Sequence, residues 1–201
     1  MKQSWSHITF SIFFCFLIFV PKVAAVSLSL DVDPSTAGIQ SSRTVVIGNP
    51  VSVDVVVSDL TDTLQGFEFD VDYNPSVLTA TSVVSGGFLP TPLVIENDVV
   101  PPDVNFAEVN LGVSTAMGNG VLTSMAFNTV GLGTSSLLLS DVILSGVTGP
   151  GNIFEITPVT FEDGSITVDD GGDVAPIPEP ATVLLFGTGL AGLFWIRKFR
   201  K

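Results

Sequence analysis

The sequence predicts an all-β fold, a two-sheet sandwich over residues 26–168, on three observations. Apolar runs rich in Val, Ile, Phe and Thr recur between Gly, Pro, Asn and Asp punctuation, several with period two. No stretch of this region has a helical period. An apolar leader precedes it and an apolar tail with a basic tip follows, so the sandwich is expected between an N-terminal signal peptide and one C-terminal transmembrane helix.

The leader, "MKQSWSHITFSIFFCFLIFVPKVAA", begins with Lys2, continues as an apolar core over residues 11–20 and closes on Val23, Ala24 and Ala25. Small residues at Val23 and Ala25 suit cleavage after Ala25, giving a signal peptide of residues 1–25. An uncleaved anchor is the alternative, but the core is short for a span and ends at Pro21. His7 and Cys15 are the only histidine and cysteine and both lie in the leader. The exported part therefore lacks disulfides, thiolate nucleophiles, imidazole bases and Cys/His zinc sites.

Nine strands are expected, at 26–32, 51–58, 66–73, 77–84, 104–110, 121–130, 135–144, 153–161 and 165–168. "VSVDVVVS" puts Val51, Val53, Val55 and Val57 on one face. "FEFDVDY" puts Phe67, Phe69, Val71 and Tyr73 on one face and Glu68, Asp70 and Asp72 on the other. Phe67, Phe69, Phe106, Phe127, Phe154 and Phe161 are of the type that stacks on sugars, but alternation turns most of them inward, as core. "EDGS" at 162–165 predicts a tight turn between the last two strands.

Residues 169–180, "DDGGDVAPIPEP", form a polar then proline-rich tether. Residues 181–196 carry no charge. As a helix they rise roughly 24 Å, a little short of a ~30 Å hydrocarbon core. Trp195 and the cations Arg197, Lys198, Arg200 and Lys201 cover the difference at one interface, the cations forming a cytoplasmic tip over 197–201. A buried terminal helix of the domain is the alternative; four cations after an all-round apolar segment suit lipid better.

All 20 acidic residues lie between Asp31 and Glu179, and Arg43 is the one basic residue among them, a formal charge of about −19. Such a field excludes nucleic acid as a partner. With no histidine or lysine there, serine hydrolysis and Schiff-base chemistry fall away, and 20 acids give no specific glycosidase pair, so the chain is expected not to be an enzyme. Glu68, Asp70 and Asp72 stand about 6.5–7 Å apart on one strand face. They, or the Asp31/Asp33 and Asp169/Asp170/Asp173 groups, are candidate oxygen ligands for Ca²⁺; the alternative is a solvated acidic face, as no EF-hand or nonapeptide loop is present.

Pro178-Glu179-Pro180, the apolar segment and the basic cluster resemble the PEP-CTERM sorting signal of exported bacterial proteins. The resemblance implies recognition by an exosortase, a membrane transpeptidase-like enzyme, in a Gram-negative cell that makes extracellular polysaccharide. It also implies that the apolar helix is a transient anchor, with the protein ending at the cell surface or outside. "VSLSLDVDPSTAG", "GNPVSVDVVVSDL" and "LQGFEFDVDYNPSVLTATSVVSGGFL" resemble the cohesin-type sandwich, with Tyr73-Asn74-Pro75-Ser76-Val77-Leu78 at the Tyr-Asp-Pro-x-Val-Leu place and Asn for the usual Asp. "GNGVLTSMAFNTVGLGTSSLLLSDVIL" and "EDGSITV" resemble its later strands. This resemblance implies a nine-stranded jelly roll close to carbohydrate-binding modules. The function expected is an exosortase-sorted surface or matrix protein with a cohesin-like module for a dockerin-like protein; the alternatives are a carbohydrate-binding module for polysaccharide and an acidic structural matrix protein.

Overall fold

The computed structural model describes residues 25–112, 116–149 and 151–172. The leader before Ala25, Asp173, the Pro178-Glu179-Pro180 motif, the 181–196 segment and the cluster Arg197, Lys198, Arg200 and Lys201 lie outside them. The described residues contain no helix and eleven strands: β1 (Val26–Asp31), β2 (Ser42–Val46), β3 (Pro50–Asp72), β4 (Leu78–Ser85), β5 (Pro92–Val100), β6 (Asp103–Asn110), β7 (Ala116–Thr129), β8 (Gly133–Val147), β9 (Ile153–Glu155), β10 (Val159–Glu162) and β11 (Gly164–Asp169).

They form two layers joined by β3. Its first half pairs with β1 and β7, giving the order β10–β1–β3–β7–β4. Its second half pairs with β6 and β8, giving β5–β6–β3–β8–β11–β2, with β9 on the end of β8. Each layer buries alternate residues, as period-two patterning requires. Val51, Val53, Val55 and Val57 from the first half of β3 meet Phe67, Phe69, Val71 and Tyr73 from the second, and all are buried. Phe69 lies 5.8 Å from Phe67 and 6.4 Å from Phe106, and Tyr73 meets Phe127 edge-on at 5.4 Å. Phe154 is only partly buried, and Phe161 is half exposed.

Eleven strands replace nine for local reasons. The two strands expected at 51–58 and 66–73 are one, because "DLTDTLQ" bends without breaking. Leu60 and Leu64 anchor it in the core, and Asp59, at φ 57°, donates its N–H to Asn119 Oδ1 at 2.8 Å. β2 and β5 were not expected. β2 is short and polar, and it exists by pairing in parallel with β11, more than a hundred residues away. β5 has a register shift between Val94 and Glu96 that spoils its alternation. The run 153–161 divides at Pro158, which has no N–H to give a ladder.

The expected hairpin at "EDGS" is corrected as well. β10 pairs with β1 in one layer and β11 with β8 and β2 in the other, so residues 162–164 cross between sheets. Gly164 is needed at this crossing: a Cβ there would stand 2.8 Å from Val32 Cγ1 and 3.3 Å from Leu30 Cβ.

Candidate functional site

The sequence-predicted acids fall into two kinds of setting. In the loop after β1, Asp31 Oδ1 accepts the N–H groups of Asp33 and Gln40, both at 3.1 Å. Asp33 accepts the hydroxyls of Ser35 and Thr36 at 2.6 and 2.9 Å and pairs with Arg43 at 3.2 Å. The two hydroxyls, with a further pull from the Arg43 guanidinium, hold the Asp33 carboxyl below its ordinary value. After β11, Asp169 and Asp170 accept the N–H groups of Gly171 and Gly172. These carboxylates organise loops.

Glu68, Asp70 and Asp72 stand on the solvent face of the second sheet, as alternation predicts. Register builds that face row by row. Glu68 lies between Ala107 and Ile143, with Glu96 beyond Ala107. Asp70 lies between Asn105 and Ser140, with Asp98 beyond Asn105. Asp72 lies between Asp103 and Leu138, with Val100 beyond Asp103. The face thus carries Glu68, Asp70, Asp72, Glu96, Asp98 and Asp103. Among the described residues Arg43 is the one cation, and it is paired with Asp33.

Asp103 was missed as a neighbour because it comes from β6, across the sheet. Its carboxyl is raised above its ordinary value, first by hydrogen bonding to Asp72, then by desolvation and by the charges of Asp72 and Asp70. Ser140 donates its hydroxyl to Asp72 Oδ2 at 2.9 Å. Among the described residues no group of three or more acids is gathered to hold an ion. Strand spacing sets Glu68, Asp70 and Asp72 in a line rather than around a centre.

The other half of the face is apolar. Ile95, Ala107, Val109, Ile143 and Ile153 line a shallow groove of about 220 Å³ over Gly66. Ile95, Ile143 and Ile153 are 61%, 46% and 63% exposed. Ile95 sits at the β5 register shift, which swings it over the face, and β9 brings Ile153 from a strand of three residues. The sequence held each isoleucine but no local sign that three separate strands would gather them. The arrangement offers an apolar seat edged by carboxylates.

Residues 176–198 match the PEP-CTERM protein-sorting motif. The motif indicates an exported protein anchored transiently at the membrane. No curated protein matches the chain by sequence. Solved cohesin structures match its fold. A non-cellulosomal cohesin from the hyperthermophilic archaeon Archaeoglobus fulgidus aligns at TM-score 0.57 and 16% identity, covering 73% of this chain and 92% of its own. The seventh ScaB type I cohesin from Pseudobacteroides cellulosolvens gives 0.59 and 17%, covering 74% and 95%. The type I cohesin–dockerin complex from Clostridium thermocellum gives 0.54 and 13%, covering 71% and 99%. The described domain is a cohesin-like β-sandwich.

Proposed function

We propose that this chain is an exported, exosortase-processed, non-enzymatic protein of the cell surface or matrix. Its cohesin-like sandwich binds a protein partner through the solvent face of β5, β6, β3 and β8. The observation that carries this reading is the apolar groove between Ile95, Ile143 and Ile153, bordered on the same sheet face by carboxylates and, among the described residues, no cation. An apolar seat supplies the binding energy, and the like charges around it select the partner's sign. The partner is then a dockerin-like module with apolar anchors and basic flanks. Cohesin–dockerin complexes among the matched structures support that class. A carbohydrate ligand has less support. Among the described aromatic side chains, only Phe161 stands among the exposed large hydrophobics, and it is on β10 in the other sheet.

The test is calorimetric titration of dockerin-like modules from the same cell's exported proteins against the wild-type chain and two variants. Ile143→Asp puts a carboxylate in the middle of the seat and is expected to weaken binding at least about tenfold, roughly 1.4 kcal/mol. Val84→Asp, on the exposed face of the first sheet, is expected to leave it unchanged. Equal loss from both variants, or from neither, would remove the face from the reading.

A further inference from the structure

One end of the sandwich differs from the rest of this acidic domain. Four connections meet there: residues 47–49 between β2 and β3, 74–76 between β3 and β4, 101–102 between β5 and β6, and 130–132 between β7 and β8. Hydrogen bonds tie them together. The Gly48 N–H donates to Thr129 Oγ1 at 2.7 Å, the Tyr73 N–H to the Pro102 carbonyl at 2.9 Å and the Val130 N–H to the Val77 carbonyl at 2.8 Å. Their sequences, "IGN", "NPS", "PP" and "VGL", contain no charge. Val46, Ile47, Val100, Val130 and Leu132 are all exposed here, at 39%, 40%, 61%, 51% and 57%. Five large aliphatic side chains on adjoining strand ends and loops form a patch that water does not favour.

The chain leaves the sandwich at this same end. Asp169 pairs with Val46, its carbonyl accepts the Ile47 N–H at 2.8 Å, and Gly171 passes so close over Val46 that a Cβ would lie 2.9 Å from its Cγ1. Eight residues separate Gly172 from Ala181, where the uncharged segment of the sorting signal begins. Those eight residues reach at most about 28 Å, and as a flexible coil about 16 Å. This end, with its uncharged connections, is therefore the part of the domain that the tether holds nearest to the lipid. At that range the local concentration of the end at the bilayer makes a weak apolar contact effective.

We infer that this end is a membrane-facing foot: while the chain is anchored, Val46, Ile47, Val100, Val130 and Leu132 rest in the interfacial layer of the bilayer. The inference depends on the reading of residues 181–196 as the membrane-held segment. The occupant is neutral lipid surface. The domain has almost no basic residue with which to seek anionic headgroups, and its own field repels them. Asp72, Asp103, Asp169 and Asp170 flank the foot; Asp72 accepts the Ser140 hydroxyl, and Asp169 and Asp170 hydrogen-bond into the start of the tether. In this posture the groove of Ile95, Ile143 and Ile153 points away from the membrane, because it occupies the opposite half of the sheet from Asp72 and Asp103.

The test uses the full chain, with Cys15→Ser, in phosphatidylcholine vesicles. A nitroxide is attached at Leu132→Cys and, separately, at Val84→Cys on the exposed face of β4. Flotation reads the anchor, and relaxation by oxygen against a water-soluble nickel chelate reads depth. The expected result is that both chains float and that the Leu132 label favours oxygen over nickel several-fold more than the Val84 label does. Floating chains with equal ratios at the two sites would overturn the foot and leave the anchor standing. A Leu132 label shielded from both reagents would overturn it in favour of a protein cover, such as a second copy. A chain that does not float would remove the anchor reading and the foot with it.

Discussion

Glu108 is the residue whose setting departs furthest from its chemistry. It lies on β6 at an inward position, paired with Phe67, and is fully buried, with no hydrogen bond of ordinary geometry to either oxygen. Burial pushes its carboxyl above the ordinary range, partly offset by the Ser85 hydroxyl. An acid whose folded pKa exceeds its unfolded one holds its proton more tightly when folded. Its stabilising share is thus full at low pH and is lost as pH rises through the folded value. Glu108→Gln removes the ionisation. The domain is expected to gain about 1 kcal/mol or more at pH 7–8, with little change near pH 4, read from urea melts across pH. A variant that tracks the wild type at every pH would show Glu108 to be solvated. The signal was in the sequence: alternation from Val104 and Phe106 turns Glu108 inward, yet among 20 acids it reads as one more surface charge.

At the scale of elements, the legible strands were those whose side chains alternate. Both halves of β3 and the body of β7 are of this kind, because one face is core and the other solvent. β2 and β5 were illegible because they are held by their partners more than by their own residues; β2 buries none of its five side chains fully. Close backbone approach is equally invisible locally. Gly86 ends β4 against β7, its N–H bonded to the Leu122 carbonyl at 2.8 Å, and a Cβ there would lie 2.4 Å from the Val121 carbonyl oxygen. Gly86→Ala has no flexible side chain to displace, so the end of β4 must leave β7. The expected loss is about 2–4 kcal/mol, measured by chemical denaturation, and a loss within experimental error would mean the backbone yields freely.

For the whole molecule, charge decides behaviour that no single residue does. Eighteen acidic residues against Arg43 among the described residues repel one another across the sandwich and keep it dispersed, at some cost to the folded state. Raising sodium chloride to about 0.5 M, where screening acts within roughly 4–5 Å, is expected to raise the melting midpoint. Calcium at matched ionic strength is expected to add nothing further, because Glu68, Asp70 and Asp72 stand in a row without a centre. A calcium-specific rise would restore these residues as ion ligands.

By itself the sequence determined the layered all-β core, its inward phenylalanines and valines, the acidic strand face and the sorting motif. Each of these is written in consecutive residues, through the two-residue repeat of a strand or through a motif read in order. Only the tertiary structure decided that Asp103 joins Asp72 and that three isoleucines from three strands make one seat. It alone brought four uncharged loops together where the tether leaves. Contacts between residues tens of positions apart follow from strand order and register, and those are fixed by packing the two layers as a whole.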